Sequence, residues 1–388
     1  MTIQDTFSKR VKESIWRESK VEITQLDTPS LLLDLDVMEA NMKRVDNYAN
    51  EHGISWRPHI KTHKSIEIAK RQIANGACGI TVAKVSEAEV MAKGGINNIL
   101  IAYPLATHKK LERVVALLPK ATIILTIDSV EQATHVQQFF QHIGQDIEVW
   151  IKVDSGLKRC GVDPGEPTLQ LAQHVSENCP SLRLKGLYTH AGHSYAASSY
   201  EQVVAIGRYE GECIVETAQL CENHGIPIEV RSVGSTPTFE VAGKVPGITE
   251  VRPGNAVFYD AIQVGLGVAT YSQCALRLMS TVVSNRPGER LVLDTGSKSL
   301  SLDQGAHGNA TVKGYGHVVD HPEIVIQRLS EEHGIATIDG TTTLGLLNRV
   351  QIIPNHACTV MNLFDQVYVV RDGQVIETWK VDARGNVQ

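Results

Sequence analysis

The run NNILIAY (97–103), THKKLERVVALLP (107–119), TIILTID (122–128), VEQATHVQQFFQHIG (130–144), DIEVWIKVD (146–154) alternates short β-branched strings with longer stretches of helical composition. Apolar strings this short, separated by longer segments with helical periodicity, read as strands joined through helices. The alternation continues outward in both directions. Upstream lie ISWRPHI (54–60) and CGITVA (78–83), and downstream LRLKGLYT (182–189) and PIEVRSVG (227–234). SIEIAKRQIANG, VSEAEVMAKGG, PTLQLAQHVSENC and the long stretch from Glu201 to Gly225 fill the intervals, and an eighth strand is expected around Glu250–Val257. Right-handed crossovers through helices also build an open doubly wound sheet, but the number of units favours a closed (β/α)8 TIM-type barrel. In such a barrel the strand ends bring Lys61, Asp154, Tyr188, His190, Ser232 and Gly234 to one face.

The flanks read differently. Residues 1–26 are polar with scattered apolar positions and suggest a short helix that packs late or crosses to another domain, whereas TPSLLLDLD (28–36) reads as a strand and VMEANMKRVDNYANEHG (37–53) as a helix stopped by Gly53. Beyond about residue 270 the strings LRLMSTVVSN, ERLVLDTG, EIVIQRLS, IATID, NRVQIIPNHA, DQVYVVRDG and QVIETWKV follow one another without long helices. Strands broken by Gly, Asn and Asp indicate a mostly antiparallel β domain, with Arg371-Asp372-Gly373 as a hairpin turn. The expected division is a barrel over 27–268 and a second domain over 269–388 with part of 1–26.

Composition narrows the function. A chain of 388 residues with 42% hydrophobic and 21% charged residues is long enough for two well-cored domains. A net charge of -6 offers no basic field for a phosphate backbone, and 5% aromatics offer few stacking platforms, which argues against nucleic acid. No apolar run is long enough to span a bilayer and the first residues lack a signal-peptide pattern, so a cytoplasmic protein without a membrane partner is expected. Seven cysteines without regular spacing do not form a disulfide framework, and most read as small buried hydrophobes.

Two strings carry chemistry. In Arg57-Pro58-His59-Ile60-Lys61-Thr62-His63-Lys64, Lys61 ends a strand-like segment among ionisable neighbours. Partial burial beside positive groups favours the neutral amine that attacks carbonyl carbon; a solvent-facing basic loop is the plainer reading. In Pro354-Asn355-His356-Ala357-Cys358, an extended backbone would point His356 and Cys358 the same way, as a two-residue clip suited to zinc, against the plainer reading of a buried Cys beside a satisfied His. Two glycine-hydroxyl strings, Val233–Thr236 and Arg252–Asn255, have the chemistry to receive a phosphate, although such turns are commonly structural.

The lysine string, the DTPSLLLDLD opening, AKVSEAE (83–89) and VDSGLKRCGV (153–162) resemble the D-serine dehydratase and D-threonine aldolase group, fold type III pyridoxal-phosphate enzymes related to alanine racemase. The resemblance runs from about Asp27 to Gly385. It implies that Lys61, rather than Lys64, is the Schiff-base lysine, that Arg159 faces the cofactor's phenolic oxygen, and that Tyr188 lies near the pyridine nitrogen. It also implies phosphate contacts at Gly234, Ser235, Thr236, Gly254 and Asn255, and a divalent metal, zinc or manganese, at His356 and Cys358. His190 and His193 at the same barrel end read as proton carriers, with His193 preferred as a second base or substrate contact.

The implied activity is that of a lyase on small D-β-hydroxy amino acids. Dehydration of D-serine to pyruvate and ammonia ranks first, with D-threonine or D-threo-3-hydroxyaspartate as further substrates. The His-x-Cys clip resembles the dehydratase side, whereas the aldolase branch commonly carries His-x-Asp. Retro-aldol cleavage to glycine and an aldehyde is the second reading, and a non-enzymatic cofactor-binding protein the third, although the latter has no reason to keep the second domain. The related enzymes pair head to tail, so a homodimer is expected.

Overall fold

In the computed structural model, residues 21–305 and 312–388 are described. Most of the expected N-terminal helix therefore falls outside the described residues. Of that segment, Val21–Glu22 pairs antiparallel with the final strand, Gln374–Lys380.

Eight parallel strands form one sheet: Ser55–Trp56, Ile80–Val82, Asn98–Ile101, Thr122–Ile127, Ile147–Lys152, Leu182–Tyr188, Val230–Val233 and Glu250–Val251. The first and eighth strands pair directly, and a parallel bridge between His59 and Thr81 joins the first to the second. The sheet thus closes into a barrel, with all eight strands on the expected segments. The eighth is shorter than expected because Pro253 and Gly254 turn the chain into the 3-10 turn Asn255–Val257.

The strands bury both faces. Outward-facing Ile99, Ile123, Leu125, Val149 and Ile151 meet the crossover helices, while Leu100, Ile124, Trp150 and Tyr188 fill the interior. The interior also holds a buried ion pair, Arg57 Nε to Glu250 Oε2 at 2.9 Å, on the two strands where the barrel closes.

A second, mostly antiparallel sheet holds Leu276–Arg286, Arg290–Leu293, Ile324–Leu329, Gly334–Ile338, Arg349–Ile353, Gln366–Arg371 and Gln374–Lys380. The hairpin at Asp372 and Gly373 has positive φ at both residues, 50° and 73°, as a tight type I′ turn requires. The strand Ser30–Asp34, contiguous in sequence with the barrel, belongs to this sheet. It runs antiparallel to Leu276–Met279 and parallel to Tyr368–Val370, burying Leu31 and Leu33 in the second core. No helix among the described residues is long and apolar enough to cross a membrane.

Candidate active site

A cavity of about 610 Å³ opens at the carboxyl ends of the barrel strands. Its wall brings together Lys61, Arg159, Tyr188, Gly234, Ser235, Thr236, Gly254, Asn255, His356 and Cys358. Residues separated by almost three hundred positions meet because the second sheet delivers its Ala357–Met361 helix against the Ile60–Thr62 turn; Cys358 Sγ lies 3.2 Å from Thr62 Oγ1.

Lys61 lies in that turn rather than in a strand, since the first barrel strand ends at Trp56. Burial pushes its amine below the ordinary lysine range; the nearby Cys358 sulfur opposes the shift and the Arg159 guanidinium adds to it. Lys64, expected to reach solvent, is instead buried against Glu87, with Nζ 3.1 Å from Oε1, and is not part of the cavity wall.

The histidines differ from expectation. His190 lines the cavity, but burial, and then the charge of Lys61, holds it well below the ordinary imidazole range, so it is neutral near pH 7. His59, also in the wall, is depressed for the same two reasons. His193 is not among the lining residues. Its ring, carried by the 3-10 turn Gly192–Ala196, packs toward Gly156, 3.4 Å from where a β-carbon there would stand. The neighbouring Tyr195 takes a place in the wall and hydrogen-bonds Thr236.

At the expected phosphate end, Gly234 has φ +116°, a conformation glycine adopts without strain, but its N–H donates to Glu210 Oε1 at 3.0 Å. That amide is already committed, so Gly234 contributes shape rather than a donor. Glu210 also accepts from Ala191 N–H at 3.0 Å and from the Thr238 hydroxyl at 2.7 Å, fixing the two loops that frame the site. At Gly254 an added β-carbon would lie 3.1 Å from both His59 O and Thr62 Oγ1, so this turn approaches the lysine turn closely and a larger residue would have to displace it by a few tenths of an ångström. The Ser235 hydroxyl lies 3.1 Å from that of Ser194, and Asn255 Nδ2 donates to Asp260 Oδ2 at 2.5 Å.

Tyr188 projects up the barrel interior. Its hydroxyl meets Thr126 Oγ1 at 2.6 Å and Ala102 O at 3.1 Å, and its ring lies 4.8 Å from the Arg252 guanidinium. Arg252 is buried, donates to Ser232 Oγ at 2.6 Å and to Thr189 O, and connects through Ser232 to Glu250.

His356 and Cys358 do not lie on an extended segment. His356 is the N-cap of the helix Ala357–Met361, because Asp260 Oδ2 accepts the Ala357 N–H at 2.9 Å and starts the turn there. Both side chains nevertheless reach the cavity. His356 Nδ1 meets Asp303 Oδ2 at 2.8 Å, an orientation that leaves Nε2 for another partner. Burial opposes charge on this imidazole, but the Cys358 sulfur and the Asp303 carboxylate outweigh it and raise the group well above the ordinary range. Among the described residues no group of three or more His, Cys, Asp or Glu side chains has metal-holding geometry.

Lys152 and Tyr195 in the wall, and Glu210, which holds the Ala191 and Gly234 amides, have roles the sequence left unread. The legible signal was Glu210: within the helix Tyr200–Asn223 it shares the buried face of Val203, Gly207 and Ile214, where a carboxylate must have partners.

The donor set fits an anionic carbonyl cofactor. Four basic side chains, Lys61, Lys152, Arg159 and Arg252, line the wall with one carboxylate, Asp128. Burial disfavours the ammonium form of Lys61, and the same wall offers the hydroxyls of Ser235 and Thr236. A closed parallel barrel with this cavity at its mouth, completed by a mostly antiparallel β domain, is the architecture of the alanine-racemase-like class of α/β enzymes.

Comparison with known proteins agrees. Residues 33–261 match the family described as "Alanine racemase, N-terminal domain", and 275–370 match the one described as "Putative serine dehydratase domain". The chain is 34% identical to D-threo-3-hydroxyaspartate dehydratase of Delftia sp. (strain HT23), over 92% of this chain and 97% of that one. Solved forms of that enzyme include one histidine-to-alanine and one cysteine-to-alanine variant, the latter metal-free, at positions spaced as His356 and Cys358 are here. D-serine dehydratase of Dictyostelium discoideum is 27% identical over 94% of this chain and 98% of its own. The crystal structure of D-threonine aldolase from Filomicrobium marinum superposes with a TM-score of 0.88 at 30% identity, covering 95% of this chain and 99% of that one. The chain belongs to the D-serine dehydratase and D-threonine aldolase family of fold type III pyridoxal-phosphate enzymes. It is a lyase.

Proposed function

We propose that this protein dehydrates D-β-hydroxy amino acids, with D-serine and D-threo-3-hydroxyaspartate as its candidate substrates. One observation carries the reading: the depressed amine of Lys61 and the His356–Cys358 pair line the same cavity.

Lys61 would hold the cofactor carbonyl, Arg159 and Tyr188 would flank its ring, and Ser235, Thr236, Tyr195 and the Gly254–Asn255 turn would receive its phosphate; all of them line the cavity. When bound, pyridoxal phosphate supplies an aldehyde for amines and a ring that withdraws electrons from the substrate's Cα. With the cofactor bound, Lys61 Nζ would be the group placed to take the substrate's α-proton, and burial, which disfavours its ammonium form, favours that role. Zinc or manganese at His356 Nε2 and Cys358 Sγ would act as a Lewis acid toward the β-hydroxyl. Asp303 holds the imidazole tautomer that this requires. His190 and His59, held neutral, add no charge to the wall and leave Lys61 as its base. A cysteine rather than an aspartate two residues beyond His356 supports dehydration over retro-aldol cleavage.

Product analysis with D-serine, D-threonine and D-threo-3-hydroxyaspartate, before and after chelation and with zinc or manganese restored, tests the reading. The expected products are ammonia with pyruvate, 2-oxobutyrate or oxaloacetate. Glycine with an aldehyde would instead assign the aldolase reaction, and Lys61→Ala protein that kept the cofactor's visible absorbance would remove the basis for either.

A further inference from the structure

The segment after the last strand returns from the second sheet to the barrel and grips the chain on either side of the active-site lysine. Ala383 N–H donates to Lys64 O at 2.9 Å, and Asp382 Oδ2 accepts the Ile66 N–H at 2.8 Å. Ser65, the N-cap of the helix Ile66–Ala74, makes no side-chain cap of its own, so a carboxylate more than three hundred residues away does its work. Lys64 has φ +50°, an uncommon conformation for a side-chain-bearing residue, and is held there at both ends: its carbonyl by Ala383 and its Nζ by Glu87 at 3.1 Å and Asn386 O at 3.4 Å. Glu87 in turn accepts the N–H groups of Ala83, at 2.6 Å, and Lys84, and Ala83 is part of the cavity wall. Gln388 O closes the contact, accepting from Ser86 N at 3.0 Å and Ser86 Oγ at 2.7 Å at the start of the helix Val85–Lys93.

We propose that Asp382–Gln388 is a positioning clasp that ties the turn bearing Lys61 to the start of the next barrel helix and so fixes where the amine enters the cavity. The inference rests on the reading of Lys61 as the cofactor-binding amine. The clasp touches neither cofactor nor substrate; it acts through the backbone three to five residues beyond Lys61. Without it the Ile66 N–H loses its acceptor and the uncommon Lys64 conformation loses two of its restraints, those from Ala383 and Asn386. Loss of a hydrogen bond to a charged group is of a size that changes an equilibrium about tenfold, so release of the Ile66 N–H should weaken cofactor binding by about that factor.

The test compares the full-length protein with Asp382→Ala, Asp382→Asn and a deletion of residues 383–388. Circular dichroism and Tm monitor the fold, titration of visible absorbance gives pyridoxal phosphate affinity, and peptide mass spectrometry follows the pH dependence of Lys61 labelling by an amine reagent after the cofactor is washed out. Asp382→Ala and the deletion are expected to weaken cofactor binding about tenfold and to shift the labelling profile, while Asp382→Asn, which keeps an acceptor oxygen for Ile66, stays within about twofold of the parent. Wild-type affinity and an unchanged labelling profile in Asp382→Ala would overturn the clasp, even if the deletion failed to fold. Cofactor retention by Lys61→Ala would overturn the cofactor reading instead, and the labelling profile would still decide the clasp.

Discussion

At the scale of single residues, the site depends on buried polar groups that touch no ligand. Glu210 satisfies three buried donors, the amides of Ala191 and Gly234 and the Thr238 hydroxyl. Glu210→Ala strands all three and is expected to cost about 3 kcal/mol in denaturant unfolding, with Glu210→Gln losing less because its amide oxygen still accepts. His63, next but one to Lys61, is fully buried; Nδ1 accepts from Ser65 N–H at 3.1 Å and Nε2 meets Gln72 Oε1 at 3.2 Å. Burial lowers it to about 4, below its unfolded value of 6.5. Between these values the unfolded chain binds more protons than the folded one, so stability is full above pH 6.5 and falls as the pH drops toward 4. His63→Gln protein should show a shallower loss of stability over that window when its unfolding is followed against pH.

The elements explain how the barrel closes. The first strand is only two residues long, Ser55–Trp56, and its backbone pairing to Glu250–Val251 is correspondingly slight. Arg57 and Glu250 supplement it with a buried ion pair, reinforced by Arg57 Nη1 to Asn98 Oδ1 at 2.6 Å. Removing one partner leaves the other charge buried and unpaired, so Glu250→Ala should destabilise the protein by about 3–5 kcal/mol, measured as a shift in the denaturant midpoint. The same network passes through Ser232 to Arg252 at the cavity, and the substitution is expected to weaken cofactor binding as well. This charged core was hidden in strand strings that read as uniformly apolar or alternating.

For the whole molecule, sequence order and spatial grouping part company. Ser30–Asp34 precedes the barrel in the chain but fills the gap between Leu276–Arg286 and Gln366–Arg371 in the other sheet, and the final residues return to the lysine turn. Neither half carries all of its own strands or supports. A fragment of residues 270–388 should therefore show no cooperative thermal transition by circular dichroism, and one extended by co-expressed residues 21–269 should recover it. Chelation of the intact protein, by contrast, is expected to leave Tm nearly unchanged while abolishing turnover, since both sheets have continuous apolar cores without the metal clip.

The sequence by itself determined the eight strand segments of the barrel, the antiparallel strands that follow, and the residue types at the cavity. Those are written in local periodicity, in turn chemistry and in short motifs such as the lysine string and His-x-Cys. It did not determine that TPSLLLDLD joins the second sheet, that His193 packs toward Gly156 while Tyr195 lines the cavity, that Glu210 occupies the Gly234 amide, or that Lys64 is buried. Each of those depends on a partner distant along the chain, and hydrogen-bond acceptors and buried countercharges are chosen by what packing brings within about 3 Å rather than by any period in the residues themselves.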